Sequence, residues 1–160
     1  MQISLSDFES TLTEKIAIAA QKLGFESYVI GGFVRDKIIG RKTKDIDVVC
    51  VGDGIALAHE TAAQFSQVPH VNFFKNFGTA QIRLKYESTS DEDSFIEIEF
   101  VGARKESYSH DSRNPVVSAG TLEDDQNRRD FTINAIAISL DKNNFGKLID
   151  PFGGIEDIRK

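Results

Sequence analysis

The sequence predicts an α/β domain built on a mixed sheet flanked by helices. Two kinds of periodicity say so. Phe8, Leu12, Ile16, Ala19 and Leu23 recur at steps of three and four, the spacing of one buried helix face. Ala80, Ile82, Leu84 and Tyr86 alternate with polar residues, as do Ile96, Ile98 and Phe100, the spacing of half-buried strands. These patterns interleave along 160 residues, which is room for one ordinary domain.

Taken in order, Ser6 and Glu9 have the spacing of a capping box, so the first helix runs over 6–23 and stops at Gly24. Ser27–Ile30 reads as a short buried strand that ends at Gly31-Gly32. Phe33–Ile39 reads as a helix closed by Gly40. Asp45–Val51 is a second strand, apolar on both faces after its first residues. Ile55, Ala58, Ala62 and Phe65 mark another helix, punctuated by Pro69. Val71–Phe74 and Thr79–Tyr86 are paired strands, Glu87–Asp93 an acidic loop, and Ser94–Val101 a further strand. Patterning then fades, and 104–120 is expected to be a flexible loop. Arg128–Ala137 is expected to be a helix entered through Asp130 or Thr132, with Phe131, Ile133 and Ile136 in the core. Strands over Ile138–Leu140 and Lys147–Asp150 follow, then a turn and the start of a helix at Ile155.

Composition narrows the function. Hydrophobic residues make up 40% and charged residues 28%, the mixture of a globular domain. No apolar run approaches the ~18 residues of a membrane span, so no membrane partner is expected. The N-terminus lacks the basic and apolar regions of a signal peptide, and a single cysteine cannot form an internal disulfide. The expected location is therefore cytoplasmic. A net charge of −6 argues against a free-standing nucleic-acid-binding module. It leaves room for an enzyme whose carboxylates hold metal ions for a phosphorylated substrate.

Four clusters carry possible chemistry. Asp45 and Asp47 project to one face of their strand, and two close carboxylates suit a hard cation such as Mg²⁺; by spacing alone they suit a solvated strand end as well. Glu99, with Glu97 two residues earlier, offers a further carboxylate. If its strand lies beside that of Asp45, the acidic groups meet and could hold two ions. Gly31-Gly32 stands at a strand-to-helix junction, where backbone N–H groups can approach a phosphate, and Arg35 could bond phosphate oxygens; a simple tight turn fits as well. Asp36 reads as the partner that fixes an arginine. Arg128, Arg129 and Asp130 either open an exposed helix or give one arginine to a triphosphate and the other to structure. Cys50, in an apolar run, reads as packing.

The order of these clusters resembles the tRNA nucleotidyltransferase and bacterial poly(A) polymerase family, specifically the catalytic head of class II CCA-adding enzymes. Ile30-Gly31-Gly32-Phe33-Val34-Arg35-Asp36, Gly40-Arg41 and Lys44-Asp45-Ile46-Asp47 resemble its first signature. Thr121 to Asp125 running into Arg128-Arg129-Asp130-Phe131-Thr132-Ile133-Asn134-Ala135 resembles its second. Glu99 before Val101-Gly102-Ala103-Arg104 resembles the third-carboxylate strand, and Asp150 to Asp157 the segment that closes the head. The likeness covers roughly Tyr28 to Lys160.

The resemblance implies a polymerase-β-like nucleotidyltransferase head that transfers CMP and AMP from CTP and ATP to the 3′-hydroxyl of tRNA. Asp45 and Asp47 would bind catalytic Mg²⁺, with Glu99 as third carboxylate. Gly31, Gly32, Arg35 and Arg129 would hold the nucleotide, with Asp36, Arg104, Arg128 and Asp130 in support. The 104–120 loop would serve the switch from C to A addition. Related enzymes add a neck that reads the base and domains that grip tRNA, so residues 1–160 are expected to be one head of a longer enzyme, weak or inactive in isolation. A poly(A) polymerase head, a C-adding-only or A-adding-only enzyme, and a non-catalytic nucleotide-binding regulatory module are the alternatives.

Overall fold

Ser6 caps the first helix as its spacing requires: its hydroxyl accepts from the Glu9 N–H while the Glu9 carboxylate accepts from the Ser6 N–H at 2.8 Å. A cap of this kind is worth about 1 kcal/mol. The computed structural model describes residues 3, 5–41, 43–85, 95–107 and 116–159, the side chains of 104–107 and 116–119 excepted. Helix α1 (Asp7–Leu23) leads into β1 (Ser27–Ile30), α2 (Gly32–Ile39), β2 (Asp45–Cys50) and α3 (Gly54–Ala62). The hairpin β3 (Val71–Phe74) and β4 (Thr79–Lys85) turns through a 3-10 segment, Lys75–Phe77, and is followed by β5 (Phe95–Gly102). Then come β6 (Arg104–Ser107), β7 (Val116–Ala119), α4 (Leu122–Asn127), β8 (Ala137–Ser139), β9 (Leu148–Ile149) and α5 (Gly154–Arg159).

Seven strands form one mixed sheet in the order β3-β4-β5-β2-β1-β8-β9. Among the described strands only β2 and β5 run parallel. The register sorts side chains cleanly between two faces. Ile46, Val48, Ile82, Ile96, Ile98 and Phe100 point to the face covered by helices and are at most 1% exposed. With Leu12 and Ile16 of α1, Phe33 and Val34 of α2 and Leu57 of α3 they make the main core. The opposite face carries a smaller cluster, Tyr28, Ile30, Val49, Ala103, Leu122 and Ala137, and beyond it the polar residues of interest.

Two stretches depart from the sequence expectation. Within 104–120, β6 and β7 pair antiparallel, from Arg104↔Ala119 to Ser107↔Val116, as a separate two-stranded ribbon. Arg104–Ser107 is wholly polar and Val116–Ala119 sets two valines side by side, so neither strand carries apolar alternation; their ladder lives in non-local backbone bonds. The residues between them, 108–115, and the acidic stretch expected over Glu87–Asp93 lie outside the described residues.

The helix expected over Arg128–Ala137 does not form. Thr121 and Asp124 build a capping box that starts α4 earlier, and α4 ends at Asn127 with Arg128 as its C-terminal cap. Thr132–Asn134 makes only a 3-10 turn. The cause is tertiary: Ala137 and Ile138 pair with Ile30 and Val29 in the sheet, which a continuing helix would forfeit. Asp130 therefore caps nothing and is exposed, and Phe131, expected in the core, is 65% exposed. Ile136 is fully buried.

Candidate active site

Parallel pairing of β2 with β5 sets Asp45 opposite Glu97 and Asp47 opposite Glu99, all four on the face away from the main core. The next strand separates the two glutamates. Glu97 has Arg83 of β4 as its other cross-strand neighbour, whereas Glu99 has Gln81. A cation thus stands beside Glu97 and a neutral amide beside Glu99. Glu99 is also the more sheltered of the two and lines a cleft with Asp47.

That cleft, about 370 Å³, has Val49 and Val101 as apolar floor, Phe77 and Thr79 on one side, and Asp125, Arg128 and Arg129 on the other. Asp125 explains how two arginines come to face two carboxylates. Its side chain is completely buried, and each oxygen takes one arginine: Oδ1 accepts from Arg128 Nε at 3.2 Å, Oδ2 from Arg129 Nε at 3.1 Å. Arg129 also donates from Nη1 to the Asn134 carbonyl at 3.4 Å. Helical spacing of three and four residues from Asp125 puts both guanidinium groups within its reach.

On the other side of Asp47, Gly31 turns the chain from β1 into α2. Its φ of 83° belongs to glycine, and a Cβ here would stand 3.5 Å from both Arg129 Nη1 and Asp47 Oδ2. No side chain caps α2, so its first N–H groups remain available to an anion. Arg35, one turn in, is fixed by two acceptors: Asp36 Oδ1 at 3.1 Å from Nε and Asn134 Oδ1 at 2.9 Å from Nη1. Arg35 does not line the cleft; it flanks the glycine turn instead.

Electrostatics distinguish Asp47. Burial pushes its carboxyl up to about 6, Glu99 and Asp45 push the same way, and Arg129 opposes them. Among the described residues no three His, Cys, Asp or Glu side chains converge closely enough to hold an ion as they stand. The donor set nevertheless fits a hard divalent cation: Asp45, Asp47 and Glu99 offer only oxygen, and the half-buried Asp47 lacks sufficient positive charge to be readily ionised. Cys50, on the helix-covered face, is raised to about 12 by burial and has no part in the site.

The structure thus brings Asp47, Glu99, Gly31 and Arg129 together, with Asp45, Gly32 and Arg35 on the flanks. It leaves Asp130 outside, and the Arg104 side chain lies outside the described residues. Two residues given no individual role by sequence reasoning emerge as organisers, Asp125 and Asn134. For Asp125 the signal was present as its spacing to the two arginines. Asn134, reaching across to Arg35 from a distant turn, gave none.

Comparison with known proteins shows the family. A family described as the Poly A polymerase head domain matches residues 27–160. An A-adding tRNA nucleotidyltransferase from Aquifex aeolicus is 38% identical over 133 residues, covering 83% of this chain and 15% of that protein. A CCA-adding enzyme from a Geobacillus species is 36% identical over 143 residues, 86% of this chain and 30% of that protein. Among solved structures, a tRNA nucleotidyltransferase complexed with a primer tRNA and an incoming ATP analogue superposes with a TM-score of 0.71 at 35% identity, over 90% of this chain and 36% of that one. The chain spans a minor part of each of these proteins. Its mixed sheet is the polymerase-β-like head they contain, and the chain belongs to the Poly A polymerase head domain family.

Proposed function

We propose that this chain is the catalytic head of a metal-dependent tRNA nucleotidyltransferase that adds C, C and A from CTP and ATP to a tRNA 3′-hydroxyl, with release of pyrophosphate. The observation that carries this reading is the Asp47–Glu99 pair, set side by side by parallel strands and faced by Arg129 at the Gly31 turn. A tRNA substrate and a lone buried thiol support a cytoplasmic location.

Asp45, Asp47 and Glu99 are the residues that would hold Mg²⁺, which supplies Lewis-acid activation of the attacking hydroxyl and neutralises charge at the α-phosphate. Gly31 leaves open backbone for the triphosphate, and the uncapped start of α2 directs N–H groups at it. Arg129, held by Asp125, stabilises charge on the departing pyrophosphate, while Arg35, held by Asp36 and Asn134, clamps its outer oxygens. Gly32 lets Arg35 lie close, 3.3 Å from where a Cβ would stand. Arg128 shares Asp125 and keeps its partner in place. A phosphodiester forms at the α-phosphorus as the bond to pyrophosphate breaks, so positioning and electrostatics do the work without a covalent enzyme intermediate.

The test supplies the longer enzyme that carries this head with tRNA trimmed of its 3′ end and with labelled CTP and ATP separately. Two C's then one A, with a stop, is the expected product. Addition of A alone to tRNA already ending in CC is the second reading, favoured by the likeness to the Aquifex enzyme. A long A-tail would reassign the chain to poly(A) synthesis, and nucleotide binding without incorporation would make it a regulatory module.

A further inference from the structure

The β3–β4 hairpin forms the edge of the sheet beside the cleft, and its turn sets two exposed aromatic rings, Phe74 and Phe77, around the charge that an edge usually carries. Register divides its aromatic residues between the two faces. Phe73 pairs with Ala80 on the helix-covered face and meets His59 of α3 edge-on, ring centres 5.9 Å apart. Phe74 pairs with Thr79 on the catalytic face and is 48% exposed. Phe77, in the turn, is 69% exposed and lines the cleft that contains Asp47 and Glu99. Lys75 lies between these two rings and is exposed. Arg83, also exposed on β4, sits on the catalytic face one alternation beyond Gln81 and stacks 4.2 Å over the Phe95 ring.

We infer that Phe77 and Phe74 form a stacking platform for the single-stranded 3′ end of the acceptor RNA, with Lys75 and Arg83 receiving its phosphates. Exposed aromatic faces interleaved with cations on one surface are the chemistry of sequence-tolerant single-strand binding. Position selects the acceptor over the incoming nucleotide. The glycine turn, Arg35 and Arg129 lie on the β1 side of Asp47, whereas the hairpin lies on the β5 side, next to Glu99. Two strand spacings, about 10 Å, separate β3 from β5, a reach that one or two stacked nucleotides span. A chain of net charge −6 gains from a local cationic and aromatic track for a polyanion. This inference rests on the nucleotidyltransferase reading, because that reading supplies the acceptor.

The test measures binding of a fluorescein-labelled RNA hexamer ending in CC, and separately of ATP and CTP, to the wild-type chain and to Phe77→Ala, Phe74→Ala and Phe77→Trp. Each alanine variant is expected to weaken RNA binding about tenfold, the loss of one stacked base, with nucleotide affinity and thermal midpoint unchanged. Phe77→Trp is expected to restore RNA binding. Unchanged RNA affinity in both alanine variants overturns the platform, as does a loss confined to nucleotide affinity, or a loss of self-association alone. Incorporation is read in a separate assay on the longer enzyme that carries this head: wild-type failure there strikes the nucleotidyltransferase reading, whereas ring-dependent RNA binding still supports the platform.

Discussion

The two faces of the seven-stranded sheet use the same strands for opposite purposes. Toward the helices, Ile46, Ile82, Ile96, Ile98 and Phe100 exclude water completely and their energetic role is burial. Toward the cleft, the alternate positions Asp45, Asp47, Glu97 and Glu99 place like charges next to one another, an arrangement that opposes folding. A strict period of two lets one strand do both. Stability is concentrated on one face, and the other keeps an electrostatic conflict that the proposed cation and polyphosphate would relieve.

The comparison breaks most sharply in activity. In the longer enzyme that carries this head, Asp47→Ala and Glu99→Gln should each reduce nucleotide incorporation by at least about a thousandfold with circular dichroism unchanged, since each removes a carboxylate of the proposed cation site. Substantial turnover in either variant would refute its role. On the opposite face, Phe100→Ala should cost about 3–5 kcal/mol in urea unfolding through the cavity it leaves, and lower activity only through loss of folded protein.

Asp47 allows a test with a defined sign. Its carboxyl is raised from 3.8 to about 6 in the folded chain, so the native state favours the protonated form. The favourable contribution of that proton is present at low pH and is lost as pH rises from the ordinary carboxylate range through about 6. Asp47→Asn, neutral throughout, should therefore be more stable than wild type at pH 7.5 without divalent cations, by on the order of 2 kcal/mol, and equal to it near pH 3. Urea titrations at the two pH values measure this; added Mg²⁺ should narrow the gap at pH 7.5. The smallest effect belongs to Glu97→Gln. With Arg83 as its cross-strand neighbour, Glu97 is expected to change incorporation by less than about threefold, and a loss as large as that of Glu99→Gln would show that both glutamates serve the cation.

Sequence periodicity disclosed the faces of β2 and β5, because alternation is local: Glu99 had to oppose Ile98 wherever the strand lay. It also delimited α1 and α2, whose ends are written in Ser6, Glu9, Gly24 and Gly40. What it could not disclose depends on distant partners. Nothing near Glu97 or Glu99 in the chain says that Arg83 stands beside one and Gln81 beside the other. The Arg128–Ala137 stretch misled because its helical spacing competes with sheet pairing to β1. Asn134 acquires meaning only when Arg35, on another element, bonds to it.

Parallel alignment of β2 with β5 also has a kinetic consequence. Bringing Glu99 alongside Asp47 closes a long loop of chain that contains α3 and the β3–β4 hairpin. Loop closure over such a separation is entropically slow, whereas α1 forms from local contacts. The catalytic centre is thus expected to mature late in folding, after the helices have gathered. Pulse-labelled hydrogen exchange should find amides of β5 protected after those of α1; simultaneous protection would mean that assembly of the two strands nucleates the fold instead.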